Sequence, residues 1–166
     1  MSNWCGNKLI VSGNKKDVEE FCEKICGNDT VLDFNKITPH PEHVAKADAE
    51  ADKERMEGHL SGREWCCKNW GTKCNAWDVF FEDLHNVNDY NKISIEFFTA
   101  WSPAIPIIEK IIELFPKLEF DFEWDVAEMM CGGTMSGKNG KITGEGDWTY
   151  DDVSGKIIER KESEIK

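Results

Sequence analysis

The sequence predicts an α+β fold, in which two helices pack on one face of a mainly antiparallel sheet and a hairpin is added at the C-terminal end. Three observations carry this prediction. Leu118-Glu119-Phe120-Asp121-Phe122-Glu123-Trp124-Asp125 alternates apolar and acidic residues without a break, the period-two pattern of a strand with one buried and one wet face. Val18, Phe21, Cys22 and Ile25 recur at helical spacing. Asn139-Gly140 is the favoured two-residue signal for a type I′ hairpin turn.

In chain order, Lys8 to Ser12 (KLIVS) reads as a strand, and Gly13-Asn14 turns the chain into the first helix. Gly27-Asn28 ends that helix in the manner of a C-terminal cap. Val31 to Ile37 (VLDFNKI) reads as a second strand, stopped by Pro39-His40-Pro41 because proline donates no ladder hydrogen bond. Residues 44–64 are rich in Ala and charge and poor in large apolar groups, which suits a solvated helix or mobile insertion. After a Trp-rich stretch from Trp65 to Trp77, Trp77 to Glu82 and Ile93 to Phe97 alternate as strands, with Asn86 to Asn91 as the turn between them. Ser102-Pro103 precedes an apolar helix from Ile105 to Phe115, with Ser102 as the candidate N-cap and Pro116 as the stop. The alternating strand 118–125 comes next, then a hairpin of Thr134 to Lys138 and Lys141 to Glu145.

The last stretch, Ser154 to Lys166, is charged and reads as a short helix or frayed tail. The expected organisation is therefore one domain over residues 1–153, interrupted by an insertion at about 44–64, with a tail at 154–166. Strand, helix, strand, then two strands, helix, strand and hairpin describes a split βαβ, ferredoxin-like sandwich. The name is geometric, since no iron–sulfur cysteine spacing accompanies it.

With 166 residues, 40% of them hydrophobic, the chain can bury one core and is short for two. A net charge of −12 opposes tracking of duplex DNA or anionic membrane, which needs clustered Lys and Arg. No apolar run approaches the roughly 20 residues of a membrane span. Met1-Ser2-Asn3-Trp4 lacks the basic and apolar parts of a secretory signal, so a cytoplasmic setting with seven reduced cysteines is expected.

The chemistry-bearing motifs favour a binding protein over an enzyme. Cys22 and Cys26 are four apart, yet Cys22 falls on the apolar stripe of the first helix, and Cys66, Cys67 and Cys74 form no paired CxxC knuckles. His40 and His43 flank Pro41 with no third ligand fixed, so no metal or other cofactor is expected. There is no GxSxG elbow, and Gly132-Gly133 sits in a hairpin context, away from any strand-to-helix phosphate loop. Glu119, Asp121, Glu123 and Asp125 form the wet face of one strand.

Two stretches mix large rings with hydrogen-bond donors, Arg63 to Trp77 and Phe98 to Pro103. Lys68 and Lys73 can neutralise phosphate, Gly71 lets backbone N–H groups approach an anion, and Trp70 or Trp101 can stack on a base. Asn69, Thr72, Asn75, Thr99 and Ser102 supply further polar contacts, so these nine residues apart from Gly71 are the candidate ligand-binding set. The competing reading is that the Trp rings plug the sheet and the polar groups cap turns. A shared concave pocket for Trp70, Lys73 and Trp101 would favour a ligand; burial of the rings with Lys73 pointing away would favour structure.

At these residues the chain resembles the YubB-type ferredoxin-like proteins of plasmids and phages, a family of unknown function. The similar features are Trp4-Cys5-Gly6-Asn7-Lys8-Leu9, Phe34-Asn35-Lys36-Ile37 followed by Pro39 and Pro41, Asn69-Trp70-Gly71-Thr72-Lys73 (NWGTK), and Thr99-Ala100-Trp101-Ser102-Pro103 (TAWSP) before a helix ending Leu114-Phe115-Pro116. The resemblance spans most of residues 4–125 and implies the fold and a mobile-element origin, with no established catalytic residues. Cys74, where an aromatic is expected, and His40 and His43 depart from it.

Together these readings lead to the expectation of a protein that sequesters a nucleotide-like small molecule, such as a host immune signal, without catalysis. The alternative is an acidic inhibitor that presents Glu119, Asp121, Glu123 and Asp125 to a basic host protein of defence or nucleic-acid binding. A catalyst acting on nucleotides through Lys73 and Asp78 is a third class. The oligomeric state is left open.

Overall fold

A computed structural model of the chain describes residues 3–41, 62–151 and 154–161. Seven strands form one antiparallel sheet: β1 (Trp4–Asn14), β2 (Trp77–Val87), β3 (Tyr90–Ala100), β4 (Glu119–Val126), β5 (Cys131–Lys138), β6 (Lys141–Asp151) and β7 (Lys156–Lys161). Their spatial order is β2-β3-β1-β4-β5-β6-β7. The helices are α1 (Lys15–Ile25), α2 (Phe34–Ile37), α3 (Gly62–Trp70) and α4 (Ile105–Leu114). β1 and β2 are joined across β3, and β3 and β4 are joined across β1, so two split crossovers interlock as in a ferredoxin-like domain.

Alternation along the strands sends one row of side chains to the helices and the other to an open face. On β1, Cys5, Leu9 and Val11 are fully buried, and on β3 Ile93, Ile95 and Phe97 join them. Phe120 and Phe122 of β4 continue the row. Across from them α1 supplies Val18, Phe21 and Ile25, and α4 supplies Ile107, Ile108, Ile111 and Ile112. Phe21 makes edge-to-face contacts with Phe115 and Phe120, with centroids 5.0 and 5.9 Å away. Asn14 caps α1 by accepting from the Lys16 N–H.

The expected strand over 31–37 is instead a turn into a helix. Asp33 accepts from the Asn35 N–H as N-cap of α2, and Leu32, Phe34 and Ile37 point into the core. Asn75, distant in sequence, holds the bend by accepting from the Phe34 N–H and donating to Asp33. Gly27 is not a left-handed cap: α1 ends on Cys26 in extended conformation, whose N–H donates to Cys22. Ser102 is not the N-cap of α4, because Ala104 holds that position and no side chain caps it. The charged stretch after Ser154 adds a strand, β7, paired antiparallel with β6. Residues 62–64 of the proposed insertion begin α3, and residues 44–61 lie outside the described residues. The hairpin turn is as expected, with φ of 54° at Asn139 and 72° at Gly140. No described helix is long and apolar enough to cross a membrane.

Candidate functional site

The two polar–aromatic motifs do meet, joined by two hydrogen bonds, and most of their other polar groups are spent on nearby backbone and side chains. Trp70 is 4% exposed, packs edge-on against Phe34 and Trp65, and donates its indole N–H to the Thr38 carbonyl at 2.9 Å. Gly71 has φ of +78°, and a Cβ there would stand 2.6 Å from Pro106 Cδ and 2.9 Å from the Pro103 carbonyl, so only glycine fits beneath the TAWSP loop. Ser102 Oγ donates to the Gly71 carbonyl at 2.6 Å, and Thr72 Oγ1 donates to the Ala100 carbonyl at 3.0 Å. Thr99 Oγ1 donates to the Ser102 carbonyl and itself accepts from Asn7 on β1. Asn69 donates to the Trp65 carbonyl within α3, and Asn75 holds the α2 bend.

What the set leaves outward is Lys68, Lys73 and Trp101. Lys73 Nζ sits 4.0 Å above the Trp101 ring, a cation–π pair at the surface. Trp70 therefore faces the core while Trp101 is half-exposed to solvent. His40 packs against the rings of Trp65 and Trp70, and no group of metal-holding side chains occurs among the described residues. His43 lies outside those residues.

A larger concavity, about 680 Å³, opens on the opposite face of the sheet, away from the helices. Its floor is built by register. Gly6 of β1 lies between Phe98 of β3 and Asp125 of β4, and Lys8 lies between Glu96 and Glu123. Phe80, paired with Glu96, borders it on the β2 side, and Trp148, paired with Gly132, borders it on the β6 side. Two glycines keep the hollow open. A Cβ on Gly6 would come within 3.1 Å of Asp125 Oδ1, and one on Gly132 would stand 2.6 Å from the Trp148 ring, which lies against that bare backbone.

The lining is acidic. Lys8 is its one cation, set among Glu96, Glu123 and Asp125. It is bonded to Glu96 at 2.8 Å, a contact that, with the charge of Glu123 nearby, raises the Lys8 pKa, so three carboxylates share one cation in the lining. Asp121 and Glu119 continue the carboxylate row of β4 along the same face, where Asp121 accepts from Ser136 and Glu119 pairs with Lys138. Cys5, on the helix side of β1 beside this floor, is fully buried, and burial pushes its thiol up to about 12, so it is no nucleophile at neutral pH. Aromatic walls with excess carboxylate suit a cationic ligand and repel phosphate.

Residues 76–164 match the family described as the ferredoxin-like domain in Api92-like protein. The chain belongs to this family. The crystal structure of protein Api92 from Yersinia pseudotuberculosis superimposes with a TM-score of 0.61, covering 87% of this chain and 97% of that one at 7% sequence identity, a likeness of fold. No curated protein matches. The part matched to the Api92-like family runs from the start of β2 through β7 and so contains Phe80, Phe98, Trp148 and all three groove carboxylates; Gly6 and Lys8 are added from β1.

Of the groove residues, Glu123 and Asp125 were visible in the sequence as a wet strand face, and Phe98 as part of an aromatic stretch. Gly6 and Lys8 stood out only within the opening motif of the family resemblance, Phe80 only as part of a strand, and Trp148 not at all. The usable signal was parity: Gly6 and Lys8 fall out of step with the apolar Leu9 and Val11, which puts them on the open face.

Proposed function

We propose that the protein is a non-catalytic binding protein that captures a basic segment of a partner protein on the open face of its sheet. The observation that carries this reading is the hollow between Phe80, Phe98 and Trp148, whose carboxylates outnumber its single, already paired lysine. The resemblance to YubB-type plasmid and phage proteins supports a mobile-element origin. With it go action in the host cytoplasm and a defence or nucleic-acid-binding protein as the basic partner.

The test titrates an arginine-rich peptide into the protein at low and high salt. Binding is expected to weaken roughly tenfold or more in Glu123→Lys/Asp125→Lys, and to survive Glu109→Lys/Glu128→Lys, which changes the net charge equally elsewhere. Equal weakening by both pairs would reduce the effect to bulk charge and overturn the reading.

Sequestration of a nucleotide-like molecule is the second reading, favoured by Lys73 poised over the half-exposed Trp101 ring. A melting-temperature rise with cyclic or ADP-ribose-type nucleotides, lost in Trp101→Ala, would support it. No rise at high nucleotide concentration would remove it.

A further inference from the structure

The sheet ends at β2, and among the described residues this strand pairs only with β3. Its outer edge is long and apolar. Trp77, Phe80, Phe81, Leu84 and Val87 are all more than 40% exposed, a pattern that edge strands ordinarily avoid because it invites pairing with another chain. Register shifts fall between Trp77 and Phe80 and between Asp83 and His85, so the longest regular run of the edge is Phe80 to Asp83, followed by His85 to Val87.

The two sides of that run differ in chemistry. On the helix side, Phe81 borders a second hollow of about 280 Å³ with Cys22, Ile25, Cys26 and Val31, an apolar slot with Glu23 at its margin. On the open side, Phe80 borders the acidic groove, and Glu82 lies near enough to Lys8 to act on its charge. Successive side chains of a strand laid beside β2 would point alternately to these two sides. One row would meet the apolar slot, with Asp83 near Cys22 at its rim, and the other would meet Glu82 and the groove carboxylates.

β2 also carries Asp78, Glu82 and Asp83 and no Lys or Arg. A second copy paired edge to edge would set carboxylate against carboxylate, which is destabilising across a strand pair. A basic strand meets the opposite situation. We infer that the free edge of β2 takes an extended segment of a partner, alternating apolar and basic residues, as one more strand of the sheet. The inference deepens the capture reading and rests on it for the basic character of the partner; it adds backbone pairing as the mode and alternation as the specificity.

The experiment uses the full chain and a short capped peptide of alternating valine and arginine. Two further versions are N-methylated at alternate residues, in one frame or the other, so that each has one edge unable to donate. The expected result is binding of the parent peptide, with slowed amide exchange within Phe80 to Asp83. One methylated frame should bind roughly tenfold or more weakly and the other nearly as well as the parent. Glu82→Lys/Asp83→Lys should weaken the parent peptide to a similar extent.

Equal binding of both frames, with exchange unchanged in β2 and loss only in Glu123→Lys/Asp125→Lys, would overturn strand addition and leave groove capture standing. Loss of binding in neither charge-reversed pair would overturn both. Slow exchange of the β2 edge before any peptide is added would show the edge already occupied, by residues 42–61 or by a second copy, and would overturn the inference; sedimentation then tells those two occupants apart.

Discussion

Thr72→Val is the sharpest test of what the NWGTK and TAWSP motifs do. The substitution keeps the β-branched shape, so no cavity opens, and it removes one hydrogen bond from a residue that is 0% exposed, Thr72 Oγ1 to the Ala100 carbonyl at 3.0 Å. A buried bond of this kind, lost with its acceptor left in place, costs about 1–2 kcal/mol. In a chain of 166 residues that corresponds to a fall in Tm of roughly 2–8 °C. Ser102→Ala removes the neighbouring bond to the Gly71 carbonyl at similar cost. Because both bonds clamp the same loop onto the turn that follows α3, the double variant should depart from additivity by about 0.5 kcal/mol or more. Urea unfolding followed by tryptophan fluorescence measures all three. Stability of Thr72→Val within about 0.3 kcal/mol of the parent would refute a clamping role and return the motif to the ligand-binding candidates.

Other substitutions probe the packing and the protonation of the core. Gly137→Ala places a Cβ 2.6 Å from the Ile112 side chain, where α4 rests directly on β5, and is expected to cost about 1–3 kcal/mol in the same urea assay. Burial holds the Cys5 thiol neutral to about 12, from an ordinary 9.0. Its contribution is thus whole below pH 9; above that the unfolded chain sheds a proton that the folded one keeps, and stability falls by up to about 1.4 kcal/mol per pH unit until the folded thiol itself ionises. Cys5→Ala should flatten that alkaline slope, and identical slopes for variant and parent would contradict the assignment. Asn7→Ala strips the donor that reaches both the Cys5 carbonyl and Thr99 Oγ1 at 2.9 Å, and should lower stability by about 1–3 kcal/mol by thermal melting.

The sheet elements were legible because their signals are local. Glu119 to Val126 alternates strictly, Asn139-Gly140 turns as its chemistry dictates, and Val18, Phe21 and Ile25 bury as a helical stripe. The segment from Val31 to Ile37 misled because Leu32 and Phe34 alternate like a strand, whereas the conformation is decided by Asn75, a partner far along the chain. Lys156 to Lys161 read as a tail since nothing within it marks a strand; its order comes from pairing with β6. The candidate site suffered most from this locality. NWGTK and TAWSP are conspicuous as motifs and are joined by two hydrogen bonds, while the groove draws on β1, β2, β3, β4, β5 and β6, and its shape exists only once the strand order is known.

The strip formed by β6 and β7 gives the groove a thermodynamic dial. Among the described residues β7 pairs with β6 alone, and Tyr150, Ile157 and Ile158 are exposed, so this margin of the sheet has little burial behind it. Trp148, one wall of the groove, stands on it. Whenever the margin opens, the wall goes with it, and the apparent dissociation constant of any groove ligand is the intrinsic one divided by the closed fraction. Affinity can then be raised or lowered by residues of the β6–β7 hairpin that never touch the ligand.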